Sequence, residues 1–261
     1  MPSRLLDLRE CADERFRSVH REMLRIDLRR QPAWFRPLLV RWARLQRMTG
    51  YDHWSRAWEY PWAIEAAALG KPPLRLLDVG GGGSPFSLYL ARCGHEVHVS
   101  DPSLDRGRSV LFDAGRGLLP NLRSLAKRGL FRVAGINSLW GLPGERDSPV
   151  RYHPDPADHL GFPDRHFDRV FCLSVMEHIP HDLWAACMRE FARVLRPGGR
   201  LVITLDMETR EANERLYRRL VDACPLSLLG SPDFETPLKP DDQQRRHPGH
   251  GYETIGLVWS A

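Results

Sequence analysis

The sequence predicts an α/β fold on a mostly parallel sheet, preceded by a helical N-terminal segment. Three observations predict it. From residue 74 onward, apolar runs of strand length alternate with helical patterns, as in successive βαβ units. The first run ends in an aspartate and four glycines, 78-DVGGGG-83, and opens directly into a helical pattern. Before residue 71, apolar side chains recur at three- and four-residue steps instead, the period of an amphipathic helix.

In order along the chain, Leu5, Leu8, Ala12, Phe16, Val19, Met23 and Ile26 mark one helix over residues 3–30, with Ser3 placed to cap it. Pro32 ends that helix; 34-WFRPLLVRWARLQRM-48 and 54-WSRAWEYPWAIEAAAL-69 continue the helical character, with Pro61 expected in a first turn. Residues 1–70 therefore form a helical N-terminal cap, and residues 71–261 a second unit beginning at Lys71-Pro72-Pro73. Strands are expected at 74–79, 96–100, 168–174, 200–205 and 254–260, and helices at 84–93, 182–195 and 209–223. More than sixty residues separate the second of these strands from Phe167, too many for one helix and one strand, so an insertion is expected at about 104–149. Pro197-Gly198-Gly199 reads as a turn between helix and strand.

With 42% hydrophobic residues in 261, the chain has ample material for a core, which excludes a disordered protein. No apolar run approaches the ~18 residues of a membrane span, and charged residues at the start of the chain exclude a signal peptide. A soluble, cytoplasmic protein is expected. Five scattered cysteines without a C-x-x-C pair exclude a disulfide framework and a zinc site, and no metal is expected. Residues 1–50 hold twelve arginines against six acids, a net +6, while the whole chain carries +5. The acids are interleaved with the arginines, as on a solvated helix face. Without a stacking or reader motif, a nucleic-acid partner is not expected.

A strand ending in Gly-x-Gly and opening a helix lets backbone N–H groups approach a ligand that a Cβ would exclude. Ser84 as N-cap and Pro85 at the first turn put the helix start directly after the glycines. Dinucleotides and S-adenosylmethionine are both bound this way. Pro85 stands where the dinucleotide fingerprint has its third glycine. Asp78, immediately before the glycines, would repel a pyrophosphate but attract an ammonium. Asp101 follows the second strand, where a carboxylate takes both ribose hydroxyls in either ligand class.

These features and two later ones resemble the class I S-adenosylmethionine-dependent methyltransferases over roughly residues 74–206. The first motif is matched by 76-LLDVGGGGSPFSLYLA-91 and the second-strand acid by 97-VHVSDPS-103. The fourth-strand region appears as 167-FDRVFCLSVMEHIP-180 and the fifth as 189-REFARVLRPGGRLVIT-204. The resemblance implies a three-layer, Rossmann-like sandwich with a seven-stranded, mostly parallel sheet and an antiparallel last strand. It implies that Asp78 and the backbone of Gly80, Gly81 and Gly82 hold the methionine end of S-adenosylmethionine. Asp101 then holds the ribose, with Pro102 near the adenine and Ser174 approaching through its backbone. The adenine amino group falls to Asp155 or Asp158, with Asp158 favoured.

Glu177 and His178 are the candidate catalytic pair. An imidazole titrating near pH 6.5 suits proton removal from an acceptor, but a structural or cofactor-side role fits the E-H pair equally. In 51-YDHWSRAWEYPW-62, the side chains of Tyr51, Trp54 and Trp58 are candidates to line the cleft, with Arg56 meeting the cofactor carboxylate; core packing is the alternative. The insertion at 104–149 and the polar segment 241–253 are candidates to select the acceptor. Methyl transfer to a small molecule, on oxygen or nitrogen, is the expected activity. The alternatives are cofactor binding without transfer, nucleic-acid methylation through the basic cap, and NAD-dependent oxidoreduction.

Overall fold

The computed structural model describes residues 2–5, 8–30, 33–38, 56–82, 84–102, 149–207, 210–231 and 253–261. Tyr51, Trp54, Gly83, residues 39–48 of the helical segment expected at 34–48, almost all of the 104–149 insertion and most of the 241–253 segment lie outside them.

Eight strands form one sheet: β1 (Arg4–Leu5), β2 (Arg75–Val79), β3 (Glu96–Ser100), β4 (Val150–His153), β5 (Phe167–Leu173), β6 (Leu195–Met207), β7 (Ser227–Leu228) and β8 (Glu253–Ser260). Seven run in the order β1-β8-β6-β5-β2-β3-β4, and the two-residue β7 pairs with β8 off that path. Strands β2 to β6 are mutually parallel, and β8 runs antiparallel to β6. The described helices are α1 (Glu14–Arg30), α2 (Arg56–Ala66), α3 (Pro85–Arg92), α4 (Trp184–Val194) and α5 (Arg210–Ala223).

Strand alternation divides the core into two layers. Leu77, Val170, Cys172, Leu201, Ile203, Leu257 and Trp259 face α4 and α5, meeting Phe191, Met188 and Leu220. The intervening Leu76, Phe171, Val202 and Val258 face the other way, onto Phe16 and Met23 of α1, Trp58 and Trp62 of α2 and Phe86 of α3. Helices thus cover both faces of the sheet, and α1 and α2 share one core with the strands.

Several local expectations change. Ser3 does not cap α1; its N–H donates to the Leu229 carbonyl and its Oγ accepts from the Val258 N–H at 2.9 Å, fastening β1 to the sheet. The first helix instead begins at Glu14 after a 3-10 turn at Leu8–Ala12. Pro61 sits inside α2 and is buried. Pro197-Gly198-Gly199 falls within β6, where the pairing with β5 shifts register between Phe167 and Arg169. Gly198, at φ +76°, and Gly199 exchange hydrogen bonds with Ala261 there. Ser84 and Pro85 behave as read: the Ser84 Oγ accepts from the Phe86 N–H at 3.1 Å. Among the described residues no helix is long and apolar enough to cross a membrane.

Gly256 in β8 lies against the buried Trp62 indole, which stacks on Trp58 with centroids 5.1 Å apart. A methyl group there would enter the volume of the ring. Gly256→Ala is expected to destabilise the protein by about 1–3 kcal/mol through overpacking, read by chemical denaturation; an unchanged midpoint would contradict the packing.

Candidate cofactor and acceptor site

The sheet order reverses at β2, with β3 and β4 on one side and β5 and β6 on the other. At such a reversal the connections leave toward opposite faces and open a crevice at the carboxyl ends of the strands. Asp78, Asp101 and Ser174, on or just after β2, β3 and β5, all fall at that edge.

Beyond β2 the chain turns sharply. Gly80, at φ +73°, donates its N–H to the Ser100 carbonyl at 2.7 Å, and Gly82 lies at φ +49°. A Cβ on Gly80 would stand 2.5 Å from Val175, and one on Gly81 would collide with the Asp78 carboxylate. The glycines therefore permit close backbone packing over Asp78 and beside the β5 turn. A Cβ on Gly82 would lie 3.3 Å from Asp101 Oδ2, so a side chain there would crowd the Asp101 carboxylate.

Asp78 is 3% exposed and accepts a hydrogen bond from the Ser87 hydroxyl, one turn into α3. Burial pushes its carboxyl up to about 7, against the Ser87 bond; the Asp101 charge raises it further and the Arg56 charge opposes that. Asp101 itself is half-buried, and its N–H donates to the His153 carbonyl at 2.9 Å, so β4 fixes the residue's backbone. The His98 and His153 rings stack between β3 and β4, with Nδ1 of the first 3.0 Å from Nε2 of the second. Pro102 is exposed beside Asp101. The Asp155 carboxylate closes its own turn by accepting from the Gly161 N–H at 3.2 Å, and its carbonyl accepts from Ser100 Oγ. Asp158 is half-buried, and its charge bears on the Cys187 thiol of α4.

On the opposite wall, Arg56 begins the described part of α2 and pairs with Glu59, whose side chain is fully buried. Glu59 Oε1 also accepts from Ser174 Oγ at 2.6 Å. Ser174 adopts φ +49° directly after β5, and its N–H donates to the Thr204 carbonyl at 3.0 Å and to Thr204 Oγ1 at 3.1 Å. Trp58, a candidate for the cleft wall, is wholly buried in the core instead, with its indole N–H donating to Glu10 at 2.7 Å. Glu177 and His178 belong to a 3-10 turn, Met176–His178, that follows Ser174. His178 is exposed and Glu177 half-buried. The Trp184 indole N–H, donating to the Met176 and Ile179 carbonyls, pins that turn to α4.

Sequence reasoning missed Ser87 and Glu59. A lone acid inside 58-WEYPW-62 is a signal for Glu59, because a carboxylate among large aromatics needs a buried partner. Ser87 carries no comparable signal. Among the described residues no group of three or more His, Cys, Asp or Glu side chains is arranged to hold a metal. No disulfide joins the cysteines, and Cys172, Cys187 and Cys224 are buried.

A parallel sheet carrying carboxylates around a glycine turn at its reversal point defines a nucleoside-cofactor-binding α/β protein. The chain belongs to the methyltransferase-domain family, whose model matches residues 51–225. A ubiquinone biosynthesis O-methyltransferase of Xanthomonas campestris pv. campestris is 31% identical over 140 residues, 53% of this chain and 46% of that protein. A ubiquinone/menaquinone biosynthesis C-methyltransferase, UbiE, of Shewanella frigidimarina is 28% identical over 167 residues, 64% and 54% respectively. The chain thus spans about half the length of the curated relatives it matches. Among solved structures, the [4+2]-cyclase SpnF is 18% identical over 80% of this chain and 83% of its own, at a TM-score of 0.48, too distant for a functional comparison.

The raised Asp78 carboxyl gives a prediction with a definite sign. Its unfolded value is near 3.8 and its folded value about 7, so its contribution to stability is fully present below the former and lost as pH rises through the latter. Asp78→Asn should therefore gain stability relative to the parent protein between pH 5 and pH 8. Thermal melts at the two pH values check this, and an equal difference at both would contradict it.

Proposed function

We propose that this protein transfers a methyl group from S-adenosylmethionine to a small-molecule acceptor, at oxygen or nitrogen, in the cytoplasm. The observation that carries the reading is the family match, which spans the glycine turn and its two flanking carboxylates. The relatives named as O- and C-methyltransferases of quinone biosynthesis support an acceptor of small-molecule size.

When bound, the cofactor supplies a methyl group on a sulfonium that is already a strong leaving group. The chain's own residues bind, orient and shield. Asp78 suits an ammonium, and its buried negative charge disfavours a pyrophosphate at the same place. Arg56 suits a carboxylate, Asp101 the ribose hydroxyls, and Asp158 an amino group at the adenine edge. The backbones of Gly80, Gly81, Gly82 and Ser174 allow close approach, and Pro102 offers an apolar flank. Alignment of the acceptor and exclusion of water then supply most of the rate. His178, exposed after β5, takes the acceptor proton at its imidazole nitrogen where the acceptor is a hydroxyl. Glu177, its neighbour in the same turn, is the second member of the candidate catalytic pair.

Calorimetric titration of S-adenosylhomocysteine, beside NAD and beside Asp101→Ala, tests the cofactor. Binding to the parent protein, weakened at least about tenfold in the variant by loss of the ribose contacts and absent for NAD, is expected. NAD binding without S-adenosylhomocysteine binding would reject the reading. Because ionised Asp78 is the form that receives an ammonium, affinity should rise about tenfold per pH unit below about 7 and level off above it. Asp78→Asn should abolish that slope. With a hydroxyl acceptor, His178→Ala should lower turnover by about 10²–10⁴-fold while leaving S-adenosylhomocysteine affinity unchanged.

A further inference from the structure

The Arg56–Glu59–Ser174 group connects α2 to the tip of β5, two elements that meet beside Asp78. A fully buried carboxylate is costly unless it is paired and hydrogen-bonded. Here both requirements are met: Arg56 pairs with Glu59 from one helical turn away, and Ser174 donates to Oε1 at 2.6 Å. An apolar residue at this position would pack the aromatic segment 58–62 without that cost, which points to a use for the charge beyond packing.

Arg56 and Ser174 both lie beside the glycine turn and Asp78. The Arg56 guanidinium is near enough to Asp78 to favour its ionised form, and it lies over the Tyr60 ring with its carbon 5.5 Å from the centroid. Ser174 holds a left-handed conformation that a non-glycine residue adopts only when its surroundings enforce it. The enforcing contacts are the Thr204 bonds on one side and Glu59 on the other.

We propose that Glu59 is a positioning residue for the cofactor: its buried carboxylate fixes the Arg56 guanidinium and the Ser174 turn together, so that Arg56 is presented to the carboxylate of the ligand's amino-acid end. The inference rests on the cofactor reading above. It makes α2, which precedes the glycine turn in sequence, part of the binding site.

The test compares two ligands. S-adenosylhomocysteine and 5′-methylthioadenosine share the adenosine and thioether groups, but only the first carries the amino-acid carboxylate. Glu59→Gln keeps the volume and an acceptor for Ser174 while removing the charge. Affinity for S-adenosylhomocysteine should fall about tenfold in Glu59→Gln and in Arg56→Ala, with 5′-methylthioadenosine binding unchanged in both. Equal weakening of both ligands in Glu59→Gln would make the residue merely structural and overturn the inference. So would a loss confined to Arg56→Ala. A parent protein that binds the two ligands equally well keeps the cofactor reading and overturns only this inference; one that binds neither overturns both.

Discussion

The site depends on β2 being hydrogen-bonded along both edges by parallel strands. Asp78 pairs in register with Val99 of β3 and with Phe171 of β5, so the strand can neither slide nor tilt without breaking two ladders. A one-residue slip would exchange Leu76 and Leu77 between the two faces and move Asp78 out of its place under the glycines. Because the three strands run the same way, their carboxyl ends converge on one edge. The Gly80 bond to the Ser100 carbonyl and the Asp101 bond to the His153 carbonyl extend that register into the loops.

Upon this rigid edge the protein places charge where water is largely excluded. Asp78 is held by a hydroxyl and a glycine turn and carries a raised carboxyl; Glu59 is held by a guanidinium and a hydroxyl. Neither arrangement is the cheapest way to fill its volume, since a buried charge must recover its hydration from a few fixed partners. The site thereby sets a carboxylate, Asp78, and a guanidinium, Arg56, within reach of one another's charge.

Much of this was legible in the sequence. The glycine turn, its N-cap Ser84, the Pro85 start of α3, the two aspartates and the alternation of strand and helix are local features, set by backbone sterics and hydrophobic period over a few residues. The antiparallel last strand followed from family resemblance, and the sheet carries it as β8. Ser3 was misread because the hydroxyl that would cap a helix bonds instead to Val258, 255 residues away. Trp58 faced either the cleft or the core on sequence evidence alone, and only the stacking on Trp62 and the bond to Glu10 decide for the core.

The sequence by itself determined the fold class, the glycine turn and the carboxylates that flank it, since each is written in short-range pattern. Only the tertiary structure decided which groups surround those carboxylates. Ser87 reaches Asp78, and Glu59, paired with Arg56, meets Ser174 from 115 residues away in the chain. Such pairings depend on how α2 and α3 dock onto the sheet. That docking is set by the packing of Trp62 against Gly256 and of Phe86 against Phe171, contacts between distant residues that leave no periodic trace in either segment.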